Sequence, residues 1–337
     1  MKRNRILLVC IFLLAALAAC GRDNAKNETA PTVTQASPTA EAAPTAEATP
    51  TATSTPTPTA TNTPTPTPDP ATYRGSVEEL NDLYDMAYEI GRKHGIEIYI
   101  ADRVSVEAIA LPCEQQMDPE LVRAALTRID EILSRYPRGM VRRLVTVPNA
   151  RMELYLVKNM ELYTGLYDTR AREDGGVANY VALDTRGADL IDNLDDTLPH
   201  ELTHAVDYSI MSMRSRGVDV KFSEDRWNEL NPPGFEYAET GDFELQSDVY
   251  TVGDNYRYFA YSYGCMNRFE DRATLFGFLM HYAAAGSAVP DQFTPEQLAK
   301  LGYWIECLRD AYANSDWPEQ TYWEEAYEKC LANTATN

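Results

Sequence analysis

From Thr29 to about Thr72 the chain is almost wholly threonine, proline and alanine with scattered acids, including Thr55-Pro56-Thr57-Pro58 and Thr63-Pro64-Thr65-Pro66-Thr67-Pro68. A stretch with so few large apolar side chains cannot bury enough surface to offset the entropy of ordering it. The frequent prolines favour an extended polyproline II spacer of about 3.1 Å per residue, so some forty residues reach roughly 100 Å. Any packed core must therefore be built from the residues C-terminal to this spacer. From Tyr73 to Asn337 the composition turns globular, rich in tyrosine and aliphatic side chains. That length suits one domain with a sizeable core, or two small lobes.

The segment before the spacer has a different logic. Met1 to Arg5 is basic, and Ile6 to Ala16 is an uninterrupted apolar run. The run is short for a membrane span and has the shape of a secretory signal. It ends in Leu17-Ala18-Ala19-Cys20-Gly21, which resembles the lipobox of bacterial lipoproteins. That resemblance implies cleavage before Cys20 and a lipid on its sulfur. Gly21, where an aspartate would stand, gives no signal for retention at a bacterial inner membrane. The expected organisation is a signal peptide over 1–19, a lipidated Cys20 and stalk over 20–72, and a folded domain over 73–337. The expected location is the extracytoplasmic face of a membrane, held by the lipid; which membrane, and the oligomeric state, stay open.

The formal charge of −21 argues against a nucleic-acid partner, whose phosphates it would repel. It argues equally against electrostatic binding to anionic lipid. Beyond Cys10 and Cys20, four cysteines remain: Cys113, Cys265, Cys307 and Cys330. An exported domain can oxidise them in three pairings, among which the sequence does not choose. No Cys-x-x-Cys is present, which disfavours a thiolate zinc site.

Periodicity points to an α+β domain: helices and a small mixed sheet first, then a mostly helical second half. Ser76 and Glu79 have the spacing of a capping box before Leu80, Leu83, Tyr84, Ala87 and Ile90, with Gly91 or Gly95 as the stop. Asp118-Pro119 caps a second helix carrying Val122, Leu126, Ile129 and Leu133. Thr294-Pro295-Glu296-Gln297 opens a late one. Strands are expected at 97–100, 143–147, 153–157 and 179–183.

His200-Glu201-Leu202-Thr203-His204 carries the chemistry. Residues four apart lie on one face of a helix, one turn apart, so the two imidazoles can ligate one Zn²⁺ at about 2.0–2.1 Å. Glu201, beside the first ligand, can then act as general base on a water that the zinc acidifies. Two of the chain's four histidines fall in this pentapeptide. Asp196 or Thr197 is the expected N-cap, which would place Pro199 harmlessly in the first turn. His94 and His281 have no partner by spacing and read as structural or exposed.

His200 to Asp207 resembles the zinc helix of the zincin metallopeptidases. His-Glu-Leu-Thr-His-Ala-Val is the form found in thermolysin-like enzymes, and Glu224 stands at the distance of their third ligand, without the pattern that surrounds it there. A closer likeness is Tyr263-Gly264-Cys265-Met266-Asn267-Arg268-Phe269-Glu270, which resembles the Tyr-Gly-x-x-Asn-x-x-Glu segment of the anthrax lethal factor-like peptidases. The resemblance covers about 200–207 and 263–280. It implies a zincin-like fold, a zinc cofactor, Glu270 as the third ligand and Tyr263 as a donor to the substrate oxygen. Thr274 departs from that family, which often has an acidic residue there. By residue type Asp271 competes with Glu270, and Glu224, Glu236, Glu239 and Glu244 are further acids in reach.

Asp207 is the expected acceptor behind a histidine ligand. Tyr263 also belongs to an aromatic group with Tyr256, Tyr258, Phe259 and Tyr261, where packing is the plainer role. The expected activity is hydrolysis of peptide bonds in a peptide or protein substrate laid along the strand near 179–183. Two rivals are a zinc hydrolase acting on another amide, such as one in the cell wall, and a surface binding module that keeps the scaffold without turnover.

Overall fold

A computed structural model describes residues 73–146, 149–237, 257–286 and 293–334. All of them fall in the compact unit Asp69–Asn337. The signal peptide, Cys20 and the stalk lie outside the described residues. Among those described, no helix is long and apolar enough to cross a membrane.

Helix α1 (Asn81–His94) buries Leu83, Tyr84, Ala87 and Ile90 on one stripe, and Gly95 in the left-handed region closes it. Its start differs from expectation. The backbone N–H and the hydroxyl of Ser76 both donate to Asp102 Oδ2, at 2.7 and 2.6 Å. The serine is therefore engaged elsewhere, no capping box forms, and a 3₁₀ turn (Glu78–Leu80) leads into the helix. Helix α2 (Pro119–Leu133) begins as expected, with Asp118 Oδ1 accepting from the backbone N–H of Glu120 and Leu121.

The sheet has strands β1 (Glu97–Tyr99), β2 (Glu114–Gln115), β3 (Ala150–Lys158), β4 (Gly165–Ala171) and β5 (Val177–Asp184). Its order is β1-β3-β5-β4, with β2 also pairing β3. β1, β3 and β5 are parallel, whereas β4 runs antiparallel to β5 and β2 antiparallel to β3. Side chains alternate between two apolar layers. Leu154, Leu156, Val181 and Leu183 face the helices, while Tyr155, Val157, Tyr180 and Ala182 face a smaller core with Val104, Ile109 and Met160. Coverage on both faces explains why β3 and β5 are buried almost throughout.

Two strand expectations change. Residues 143–147 form no strand: Arg143 ends a helical turn, α3 (Met140–Arg143). Met140, Val141 and Leu144 are all buried, and their one-and-four spacing suits a helical face better than a pleat. Val147 lies outside the described residues. The strand at 179–183 lies within β5, but β5 is flanked by β3 and β4 and is no edge. The outer strand on this side, among the described residues, is β4.

The second half is helical: α4 (Ala188–Asp192), α5 (Leu194–Ser215), α6 (Glu224–Asn228), α7 (Arg268–Ala284), α8 (Pro295–Tyr312) and α9 (Tyr322–Thr334). The capping box at Thr294 and Gln297 forms at the start of α8. Cys113, Cys265, Cys307 and Cys330 form none of the three disulfide pairings, and the last three are buried. The helix-start reading at Asp118 is open to direct test. Asp118→Ala should cost about 1 kcal/mol of stability, read by urea denaturation, because two backbone donors of α2 lose their acceptor.

Candidate metal centre

Helix α5 carries the His-Glu-x-x-His segment. It begins at Leu194, earlier than Asp196 or Thr197 would have started it. The buried stripe Leu194, Leu198, Leu202, Ala205 and Ile210 explains the extension, since it needs helix from its first member. Asp195, buried near the helix start, is held by Arg128 and Arg135 of and just beyond α2. Pro199 thus lies inside the helix, where it leaves the Asp195 carbonyl without its usual donor. Thr203 Oγ1 donates to the Pro199 carbonyl at 2.8 Å, tying this turn to the next.

Helix α7 supplies the partner. Asn267 caps it, its Oδ1 accepting from the N–H of Phe269 and of Glu270, both at 2.9 Å. Thr274 Oγ1 donates to the Glu270 carbonyl at 2.6 Å. Glu270 is therefore held at both ends of its backbone, and the threonine that departs from the lethal factor-like pattern supports it. The two helices pack closely because residue 277 is glycine: a Cβ there would lie 3.0 Å from the Asp196 carbonyl oxygen and 3.3 Å from His200 Cβ.

The result is a convergence of three donor atoms. His200 Nε2 and His204 Nε2 are 3.2 Å apart. Glu270 Oε2 lies 3.2 Å from the first and 3.5 Å from the second. Donors bound at about 2.0–2.1 Å to a tetrahedral zinc stand about 3.3 Å from one another. The spacing fits that ion. Glu270 Oε2 is also buried with no partner of hydrogen-bond geometry, although both imidazole nitrogens are near. His200, His204 and Glu270 form a cluster that can hold a metal ion.

The electrostatics arise from the crowding. Burial works against charge on Glu270, but His204 and His200 beside it hold its carboxyl well below the usual carboxylate range. Burial works against charge on His204 as well, yet Glu270, Glu201 and Asp207 push it up to about 9. The cluster thus attracts a cation, and a metal binding there must displace a proton.

The flanking residues sit on either side. Glu201 is 6 % exposed, and burial raises its pKa against the two imidazoles that lower it. The backbone of Tyr167, in β4, also lowers it. β4 approaches so closely that a Cβ on Gly165 would meet Glu201 Oε1 at 2.6 Å and Thr197 Cγ2 at 2.7 Å. The Tyr167 ring lies beside His204, centroids 6.4 Å apart.

Tyr263 stands in a 3₁₀ turn (Ser262–Cys265), its ring centroid 6.2 Å from that of His200. Burial and then the charges of Glu270 and Glu201 drive its hydroxyl far above the phenol range, so it keeps a proton that it can donate.

The competing acids are placed elsewhere. Asp271 is fully buried on the far side of Glu270, accepting from Lys300 Nζ at 2.7 Å, Tyr237 O–H at 2.6 Å and Trp227 Nε1 at 3.1 Å. Glu224 pairs with Arg272, and Glu236 is exposed. Glu239 and Glu244 lie outside the described residues. Asp207 Oδ1 accepts from Arg272 Nε at 2.8 Å, while its Oδ2 is buried without a hydrogen-bond partner. Burial lifts Asp207 to about 7 although Arg272 opposes it. His94 is paired with Asp130 at 2.7 Å. His281 keeps a buried Nδ1 without a hydrogen-bond partner.

No protein-family model matches the chain. No curated protein matches it, and no solved structure matches it.

Gly277→Ala tests the closeness of the two helices. The added methyl meets Asp196 Oδ1 at 2.6 Å and, even if that side chain moves, the Asp196 backbone oxygen at 3.0 Å. It should cost about 1–3 kcal/mol of stability. It should also weaken zinc binding, measured by zinc retained after dialysis. Full retention at unchanged stability would contradict the packing described.

Proposed function

We propose that the chain is a zinc-dependent peptidase of the zincin type, similar to the lethal factor-like peptidases. We further propose that it is exported and held at a membrane by a lipid on Cys20. One observation carries the enzymatic reading. Three donor atoms stand at tetrahedral spacing, with a buried carboxylate on one side and a protonated tyrosine on the other.

In this reading His200, His204 and Glu270 hold the ion. When bound, zinc supplies Lewis acidity to water and to a carbonyl oxygen. Glu201 takes a proton from the water as its oxygen bonds to the peptide carbonyl carbon. The carbon–nitrogen bond then breaks, and Glu201 returns the proton to the leaving amine. Burial suits Glu201 to both steps, since it raises the carboxyl toward the pH at which it can accept and give a proton. Tyr263 donates to the carbonyl oxygen as negative charge gathers there. An extended peptide adds to the sheet at β4, the strand whose backbone reaches Glu201, rather than at the interior β5.

Two substitutions in the full chain test these roles against a fluorogenic peptide library. Glu201→Gln should keep its zinc and lose about 100- to 10,000-fold in turnover. Unchanged turnover in that variant would sink the mechanism. Tyr263→Phe should lower kcat by about 100-fold or more with KM little changed, as expected for a contact made only in the transition state.

A further inference from the structure

Behind the metal cluster lies a second set of charges that hydrolysis does not use. Arg272 is fully buried. Its guanidinium lies 4.9 Å from the ring of Phe222, 5.1 Å from Phe269, 5.5 Å from Trp227 and 5.6 Å from Trp304. Its Nε donates to Asp207 Oδ1 at 2.8 Å, and its two terminal nitrogens donate to Glu224 at 3.2 and 3.3 Å. A guanidinium so enclosed costs several kcal/mol in lost hydration unless its charge is answered. The aromatic faces and the two carboxylates answer it.

The placement of this pair matters more than its strength. Asp207 comes three residues after His204 on α5, and Arg272 two residues after Glu270 on α7. Residues two apart leave a helix about 200° apart around its axis. Glu270 and Arg272 therefore leave α7 on nearly opposite sides, and both end on α5. Two contacts of that kind fix the rotation of α7 about its own axis as well as its distance from α5. Gly277 sets the distance from the other end of the contact, but a glycine has no side chain with which to resist rotation.

We infer that the Asp207–Arg272 pair is a positioning device for the metal cluster. It holds α7 at the rotation that brings Glu270 Oε2 to the two imidazoles. The inference rests on the metal-site reading. The neighbouring pair Asp271–Lys300 supplies an internal control. It too is fully buried, with Nζ and Oδ2 2.7 Å apart, and Lys300 lies 3.9 Å from the centroid of the Phe259 ring. It ties α7 to α8, which carries no member of the cluster.

The test compares two doubly substituted full chains, each with one buried pair neutralised at both ends so that neither member is left as a lone buried charge. Glu224, which also loses Arg272, is partly exposed and keeps Arg268 at 4.0 Å. In one, Asp207→Asn is combined with Arg272→Met; in the other, Asp271→Asn with Lys300→Met. Zinc affinity is read by competition with a chelating dye, and the coordination geometry by the visible spectrum of the Co²⁺ form. Thermal unfolding of the metal-free chains gives their stability.

The expected result is a loss of about 10- to 100-fold in zinc affinity and a weakened tetrahedral Co²⁺ band in the first chain alone. The second chain should bind zinc like wild type even where its melting temperature has fallen as far. Equal losses in both chains, or no loss in the first, would overturn the inference and leave the metal site standing. Absence of zinc binding by wild type would overturn the site and the inference together.

Discussion

A buried carboxylate and two imidazoles crowded to within 3.2–3.5 Å of one another draw in a cation, whether a proton on an imidazole or a metal ion. The rest of the domain is organised around that crowding. The two histidines come from consecutive turns of α5 and need only a helix to face the same way. The carboxylate must be delivered from elsewhere, by α7, against the lost hydration that burial imposes. The Asn267 cap, the Thr274 hydrogen bond and the close approach at Gly277 are all devices for that delivery. The sheet contributes the opposite wall. Its antiparallel strand β4 passes so near that a Cβ on Gly165 would meet Glu201 Oε1 at 2.6 Å.

The buried ionic groups around the site fall into two kinds. Those in the scaffold are answered within the protein: Asp195 by Arg128 and Arg135, Glu153 by Arg170 and Arg172, Asp271 by Lys300. The atoms at the centre are not. Glu270 Oε2 has no partner of hydrogen-bond geometry, and Glu201 has no paired arginine or lysine among the described residues. Single charged atoms elsewhere, such as Asp271 Oδ1 and Arg143 Nη2, also lack a partner, but among the described residues only at the centre do two imidazoles and a carboxylate converge on one point. That contrast links packing to chemistry more directly than any single distance.

Local patterns make part of this legible in the sequence. The His200–His204 spacing states its own geometry once the segment is helical. The starts at Asp118 and Thr294 come from short-range hydrogen bonding and hold in the structure. Glu270 stands out through its likeness to a known segment. Only the structure separates it from Asp271, because one position along the helix turns a side chain from the cluster toward Lys300.

The misses have a common cause in contacts distant along the chain. Ser76 has a capping sequence, but Asp102, twenty-six residues on, claims its hydroxyl. Residues 143–147 are rich in β-formers, but the burial of Met140, Val141 and Leu144 winds their beginning into a helical turn. β4 reads Gly-Leu-Tyr-Asp-Thr-Arg-Ala, with no apolar alternation to announce a strand, and it owes its conformation to pairing with β5. Arg272 has no signal at all, since a single arginine within an apolar helix looks alike whether it points to solvent or to Asp207.

The convergence of His200, His204 and Glu270 on one ion is tested most directly by zinc K-edge X-ray absorption on the full chain, with zinc stoichiometry measured on the same sample. The expected spectrum is that of one zinc per chain with two imidazole nitrogens and oxygen donors at about 2.0–2.1 Å. It should be absent from a folded Glu270→Gln variant. A folded wild-type chain that takes up no zinc, or a zinc shell containing sulfur, would contradict it.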